Sequence, residues 1–489
     1  MSHPITFCLA ALWVLAAAPT RAADFTLVTV GDLIQGRPVS MLKNPGALPQ
    51  WQAFADTLKL LNSGDLTYGN LETTLLDVRT FKGSAYAFGG DIVVSSVPAV
   101  ASDLKAMGIS LVSRANNHAL DWGTEGMRES TAHMGQAGLI GAGVGETLDE
   151  ATQAAFAQTP AGRVAIVSMA STFRPTTNAL PVSSEAPYGR PGVDGLDLSA
   201  SAVLDAVSYA QLHDIACSFE PAKPCAVSSS IQLFGTTVRA AREGETPFTY
   251  DYEVNPDDRE RVAKAVATAK SQGAKWVLAT LHAHESLTDD TPPRSWSDPA
   301  AFLRPLAHHL IDSGADVFVA TGIHHVAGIE IYKGKPIFYG HANFFWSGTI
   351  EPISDEAYAA SATLALLARS FEHPDRITDS DLYGLRLSAG HTFAIKDKPT
   401  TQNRSSQSFV ARSVFDSNGR IKEIRLFPIE FGYGDKLTRF GVPRRAADEI
   451  AHLVLDRVIA LSKDRGVTLA KVRENGYLIG VATPLRSMD

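Results

Sequence analysis

The chain has 489 residues, 45% of them hydrophobic and 20% charged, which is enough apolar material for a large core and excludes a disordered polyelectrolyte. A formal net charge of −8 and a pI near 6.0 provide no overall basic field, so no nucleic-acid partner is expected.

The amino-terminal MSHPITFCLAALWVLAAAPTRAADF is apolar from about Ile5 to Ala18 and then carries Pro19 and the small-residue pattern Thr20-Arg21-Ala22. It reads as a signal peptide over residues 1–22, cut after Ala22, although its first residues hold no Lys or Arg. The apolar run is shorter than the roughly 20 residues of a spanning helix, and no later segment is apolar enough to cross a membrane. The expected location is therefore outside the cytoplasm, periplasmic or extracellular. Removal of the signal leaves Cys217 and Cys225, which bracket SFEPAKP. In an exported chain the two are expected to form a disulfide that staples a local loop and stabilises by roughly 2–3 kcal/mol.

Strand-like runs then alternate with helical patterns. FTLVTV, ISLVSR, RVAIVSM, WVLATL and VFVAT read as strands, and WQAFADTLKLLN, VPAVASDLKAM, PDDRERVAKAVATAKSQG and DPAAFLRPLAHHLIDSG as helices. Asn255 or Asp257 can cap the third of these helices and Ser297 or Asp298 the fourth, with Gly273 and Gly314 as stops. The alternation argues for an α/β core over residues 23–350. Between about Thr172 and Tyr252 it breaks into a Pro, Gly and Ser-rich insertion that could serve as a lid or wall. Residues 351–489 form a carboxy-terminal α+β extension expected to pack on the core. Two strand-like runs flank Asn418-Gly419, a hairpin signal, and Val442, Ala446, Ile450, Leu453, Val454 and Val458 follow with helical spacing.

Five polar clusters sit where strands should end: Asp32 after VTVG, Glu72 after LTYGNL, Asn116, Asn117, His118 and Asp121 after ISLV, His282, His284 and Glu285 in LHAHE, and His324 and His325 in ATGIHH. Strands that deliver polar residues into loops are how α/β enzymes build sites. Taken singly, each residue has an ordinary role as a turn former or surface charge. As an ordered set they offer oxygen and nitrogen donors without thiolate, which suits Mn, Fe or Zn in a catalytic rather than a structural site. Two such ions would lower the pKa of a bound water, making a hydroxide nucleophile, and His118 would protonate the leaving group. Arg37 and Arg114 flank the clusters and are candidates for holding substrate carboxylates or phosphates. His308 and His309 read as helix surface, while His373 and His391 have no evident partner.

The strings GDLIQGR, GNLETTL, RANNHALDWGTEGM, LHAHE and GADVFVATGIHHVAGIEIYKGKPIFYGHANFFW resemble the CapA family of capsule synthesis proteins, associated with poly-γ-glutamate, within the calcineurin-like metallophosphoesterase superfamily. The likeness spans roughly Phe25 to Gly348. It implies a four-layer αββα sandwich with a divalent-metal site, two ions, at the strand ends. Asp32 takes the place of the first acid, Glu72 the bridging carboxylate, Asn117 and His118 the Asn-His pair, and His282 and His324 the later histidines. The implied partners are an anionic polymer such as poly-γ-glutamate and the capsule synthesis machinery. The implied activity is metal-dependent hydrolysis or transfer on that polymer, with phosphoester cleavage or non-catalytic polymer binding as alternatives.

The chain departs from the general pattern in three places. Ile34 stands where metallophosphoesterases carry a histidine, and Glu72 replaces their bridging aspartate. Thr321 stands where many relatives of the CapA branch have an earlier histidine. His284 is the candidate to compensate for Thr321 if its strand continues, with His325 as a further possible ligand and His341 as an imidazole that approaches the site.

Overall fold

The computed structural model describes residues 24–36, 38–41, 49–85, 93–174, 176–184, 186–219, 228–286, 299–347, 407–431 and 441–485. The expected signal peptide, Arg37, Cys225, Ser297, Asp298, His373 and His391 lie outside these residues. None of the described helices is long and apolar enough to cross a membrane.

Two sheets face each other. In the first, Phe25–Gln35, Leu66–Asn70, Leu111–Ser113 and Ile140–Ala142 run parallel in that order, and Asn343–Ser347 pairs in parallel with the end of Phe25–Gln35. In the second, Gly162–Ala170, Trp276–His282, Val317–Thr321 and Lys335–Phe338 run parallel, edged by the antiparallel strands Ala155–Thr159 and Ile329–Tyr332. Every residue of Trp276–His282 is buried, as a parallel strand covered on both faces requires.

Alternation along the strands sorts the apolar side chains into layers. Phe25, Leu27, Tyr68 and Leu111 of the first sheet meet Ile166, Leu278 and Val319 of the second in one core between the sheets. Val28, Val30 and Val112 point the other way, onto Phe54, Leu104 and Met134 of the helices Pro49–Leu61, Ala99–Ala106 and Gly123–Ala137. Val167, Ala279 and Phe318 likewise cover Val262, Val266, Leu306 and Leu310 of the helices Pro256–Ser271 and Leu303–Asp312. The result is four layers: helices, sheet, sheet, helices.

Helix boundaries follow local chemistry in one case and depart from it in another. The Asn255 side chain caps Pro256–Ser271 by accepting from the Asp257 amide at 2.9 Å, and Gly273 with φ of 87° follows its end. The helix expected from about residue 298 starts at Leu303 instead, with no side-chain cap at Phe302. The stretch from Thr172 to Gly192 is loop-rich, and the remainder of the insertion folds into Leu198–Leu204, Ser230–Leu233, Thr236–Ala240 and Thr249–Val254 around the helix Ala206–Ser218. That small sheet packs through Leu198, Tyr252 and Val254 on the outer helical layer, and among the described residues it is the start of the insertion, at Thr172 and Arg174, that reaches the strand ends.

The carboxy-terminal hairpin does not merely lie on the core. Gln407–Phe415 pairs antiparallel with Phe25–Gln35, and Ile421–Glu430, Tyr477–Pro484 and Val467–Glu474 continue the same sheet outward. Helix Asp448–Leu461 buries Ile450, Val454 and Val458 in the core between the sheets.

One glycine shapes the site directly. A Cβ on Gly31 would fall 1.5 Å from the Ala342 carbonyl oxygen, so only glycine lets the Asn343–Ser347 strand come this close. The pairing then shifts register between Asp32 and Leu33, a bulge that sits at the first acid of the site.

Candidate metal centre

Asp32, Glu72, Asn117, His282, His284 and His324 arrive from five separate strand ends and converge. His324 Nδ1 lies 3.2 Å from Asp32 Oδ2, and its Nε2 lies 3.9 Å from Glu72 Oε1. His282 Nε2 lies 3.6 Å from Glu72 Oε1, 2.9 Å from Asn117 Oδ1 and 3.0 Å from His284 Nε2. Asp32, Glu72 and His282 form one group able to hold a metal ion, and Glu72, His284 and His324 form another. The strand ends at His282, so His284 reaches the cluster from a loop and not by strand alternation.

Electrostatics sets this group apart from a structural ion-pair network. Burial, and then the Asp32 charge, push the Glu72 carboxyl well above the usual carboxylate range. Burial, and then the imidazoles of His284 and His324, hold His282 well below the usual histidine range. Burial, then His324 and His118, lower His284 to about 3. Neutral imidazoles are the form that binds metal. Both Glu72 oxygens are fully buried, and among the described residues no donor reaches either. Native proteins rarely leave a carboxylate so, and a cation between these donors is the partner the geometry lacks. The residues therefore fit a divalent transition metal.

Around the cluster stands a second set of contacts. Asn70 Nδ2 donates to Asp32 Oδ1 at 2.8 Å, and Asn116 Nδ2 donates to Asn70 Oδ1 at 3.1 Å. The Gly322 amide donates to Asp32 Oδ2 at 3.2 Å. Asn343 Oδ1 lies 2.8 Å from His324 Nδ1, and Trp346 meets the His324 ring edge-on at 4.9 Å. His324 has φ of 54°, a left-handed conformation that a histidine adopts at a cost on the order of 1 kcal/mol. His118 Nδ1 lies 2.7 Å from Asp121 Oδ2, while its Nε2 faces Glu72 Oε1 at 4.0 Å. Asp121 is in turn held by the Val94 amide at 2.5 Å and by Arg174 Nε at 3.0 Å.

Not every expected residue joins. Arg114 is buried, and its guanidinium donates to Thr131 Oγ1 at 2.8 Å and to the Met127 carbonyl at 3.3 Å, so it braces helix Gly123–Ala137 and does not face substrate. His325 is buried but belongs to neither group of candidate ligands. Thr321 Oγ1 stands 3.3 Å from His282 Nδ1. His341 turns between the sheets, with Nε2 at 2.9 Å from Thr29 Oγ1 and its ring stacked on Phe338. Asn70, Arg174, Asn343 and Trp346 were not singled out from sequence. Asn70 alone had a signal, as the polar end of a strand two residues before Glu72.

The fold and this site define a class: a four-layer α/β protein with a candidate metal centre where its parallel strands end. The chain belongs to the family of bacterial capsule synthesis proteins PGA_cap, whose model matches residues 26–347. It is 36% identical over 454 residues to the uncharacterized protein y4sH of Sinorhizobium fredii, covering 92% of each chain. It is 22% identical over 344 residues to the capsule biosynthesis protein CapA of Bacillus anthracis, covering 69% of this chain and 64% of that one. A probable polyglutamine synthesis accessory protein of Mycobacterium tuberculosis is 26% identical over 280 residues, covering 56% of this chain and 54% of its own length.

Proposed function

We propose that the protein is exported and carries out metal-dependent hydrolysis or transfer on an anionic envelope polymer such as poly-γ-glutamate during capsule synthesis or processing. Family membership supports the capsule role. The metal dependence is carried by one observation, the buried Glu72 carboxylate without a hydrogen-bond donor among three imidazoles and a second acid.

Asp32, Glu72, Asn117, His282 and His324 would hold the metal, which when bound makes water a better nucleophile and offsets charge on the attacked group. The protein's own part is positioning and proton transfer. Asp121 orients His118 through Nδ1, which leaves Nε2 facing the cluster to carry the proton that the leaving group takes. Arg37 is the proposed cation for the carboxylates of the polymer. Export through the 1–22 signal peptide would also favour the Cys217–Cys225 disulfide.

The test is the chain length of poly-γ-glutamate after incubation with the purified protein, stripped of metal and then reloaded with Mn²⁺. Shortening or transfer only after reloading, lost in His118→Ala with metal content unchanged, is the expected outcome. Cleavage of a phosphoester but not of the polymer would replace this reading with a phosphoesterase. Polymer retention without any turnover would replace it with a binding component.

A further inference from the structure

We propose that His284, which enters the cluster from the loop beyond its strand, is a metal ligand and supplies with His324 the ion position that Thr321 leaves without an imidazole. The inference rests on the reading of the cluster as a metal centre and deepens it. It concerns a residue beyond the end of its strand, at a point where the chain has Thr321 and no imidazole on the neighbouring strand.

The two donor groups overlap in Glu72 alone, and within each group the candidate ligand atoms lie within 4.8 Å of one another. His282 Nε2 of one group and His324 Nε2 of the other approach the same Glu72 oxygen, Oε1, at 3.6 and 3.9 Å, so this side chain joins the two groups. Asp32 and His282 complete one group, and His284 and His324 complete the other.

His284 is held in place by a clasp rather than left on a free loop. Its amide donates to Thr172 Oγ1 at 2.8 Å, and Thr172 Oγ1 donates to Glu285 Oε1 at 3.0 Å. Ser171 Oγ donates to the other Glu285 oxygen at 2.7 Å, while the Ser171 amide donates to the His282 carbonyl at 3.0 Å. On the other side the Ala283 amide donates to the Thr321 carbonyl at 2.9 Å. The backbone on both sides of His284 is therefore tied to the two neighbouring strand ends.

Space has been left for its ring. A Cβ on Gly322 would meet His284 Cδ2 at 2.9 Å and the Ala283 carbonyl oxygen at 2.8 Å, so the residue after Thr321 must be small for this imidazole to enter. The Thr321 side chain stays against His282. Ligands held this firmly by outer contacts are what a metal site requires.

The experiment counts ions. Wild type, His284→Ala, His284→Gln and the exposed-helix control His452→Ala are stripped with chelator, reloaded with Mn²⁺, desalted and assayed for metal per chain, with the unfolding midpoint taken on each. Wild type and the control should carry about two ions and His284→Ala about one. His284→Gln, which keeps the volume, should bind the second ion at least about tenfold more weakly, and it decides the matter if the alanine variant does not fold. Two ions retained with unchanged affinity in a folded His284 variant would overturn the proposal. A single ion in wild type would also overturn it while leaving the metal reading intact. No ion in wild type after reloading would remove both.

Discussion

Two buried carboxylates lie toward opposite ends of the parallel strands, and their surroundings differ completely. Asp316 opens the strand Val317–Thr321 at its amino-terminal end, where it receives the ammonium groups of Lys270 and Lys335 and the Val277 amide at 2.9 Å. Glu72 follows the strand Leu66–Asn70 at the carboxy-terminal end, with no donor on either oxygen among the described residues and Asp32 as a like-charged neighbour. Both are almost wholly removed from water. Burial alone therefore does not mark a functional acid. The difference is satisfaction: one charge is neutralised by the chain itself, and the other meets no donor among the described residues.

The largest predicted effect separates the two directly. Asp316→Ala leaves two ammonium groups facing each other and should destabilise the metal-free protein by about 3 kcal/mol, read from denaturant midpoints in the presence of chelator. Glu72→Gln should do the opposite. The folded-state pKa of Glu72 is raised above its unfolded value, so its contribution is fully present below pH 4.5 and is lost as pH rises through the folded value. Above pH 4.5 the burial of this acid therefore weighs against the fold, and the amide removes that penalty while abolishing metal loading. Equal losses of stability in the two variants would break the comparison.

Asp121 is the intermediate case, an acid at the site end whose Oδ2 takes hydrogen bonds and whose Oδ1 is offset by the Arg174 charge at 3.0 Å without a hydrogen bond. Arg174, the Val94 amide and His118 all meet it. Asp121→Asn should therefore keep the metal content of wild type. Turnover should fall on the order of tenfold, since the His118 imidazole remains and only its orientation is lost. Stability should drop by about 1–2 kcal/mol. Loss of metal together with turnover would instead move Asp121 into the ligand set.

Much of this was legible in the chain. Apolar runs that end in Asp32, Glu72, Asn117, His282 and His324 announce strand ends because strand alternation and burial fix where polar residues can stop a run. The hairpin about Asn418-Gly419 was equally plain, since its turn is local chemistry: the amides of Asn418 and Arg420 both donate to Asp416 Oδ1 at 2.9 Å. What the pattern could not carry is pairing over long sequence separation. Nothing local in Phe25–Gln35 says that Gln407–Phe415 will lie beside it. Side-chain direction beyond a strand end was equally hidden. Arg114 lies two residues from Asn116 in sequence, yet its guanidinium turns back to the helix, while His284 turns inward because Thr172 and Glu285 fasten its loop. Arg174 came from a segment with no periodicity at all, so only the folded chain shows that it meets Asp121.

The smallest predicted effect sharpens the comparison with a group that is polar, buried and neutral. His341 lies between the sheets, half satisfied by Thr29 and stacked on Phe338, and burial lowers its pKa to about 3. A depressed histidine contributes stability that is present above the unfolded value of 6.5 and is lost as pH falls toward about 3. Over that window its share of the stability slope approaches about 1.4 kcal/mol per pH unit. His341→Phe should flatten the acid limb by that share, while at neutral pH it forfeits only the Thr29 contact, about 1 kcal/mol. His282 and His284 are depressed as well, so the quantity to read is the difference between wild type and variant in chelator, not the absolute slope. Identical slopes would mean that His341 gains its proton without opening the core. An uncharged ring between the sheets would then be no better protected from water than the acid at their rim, and burial would cease to be the common cause of both shifts.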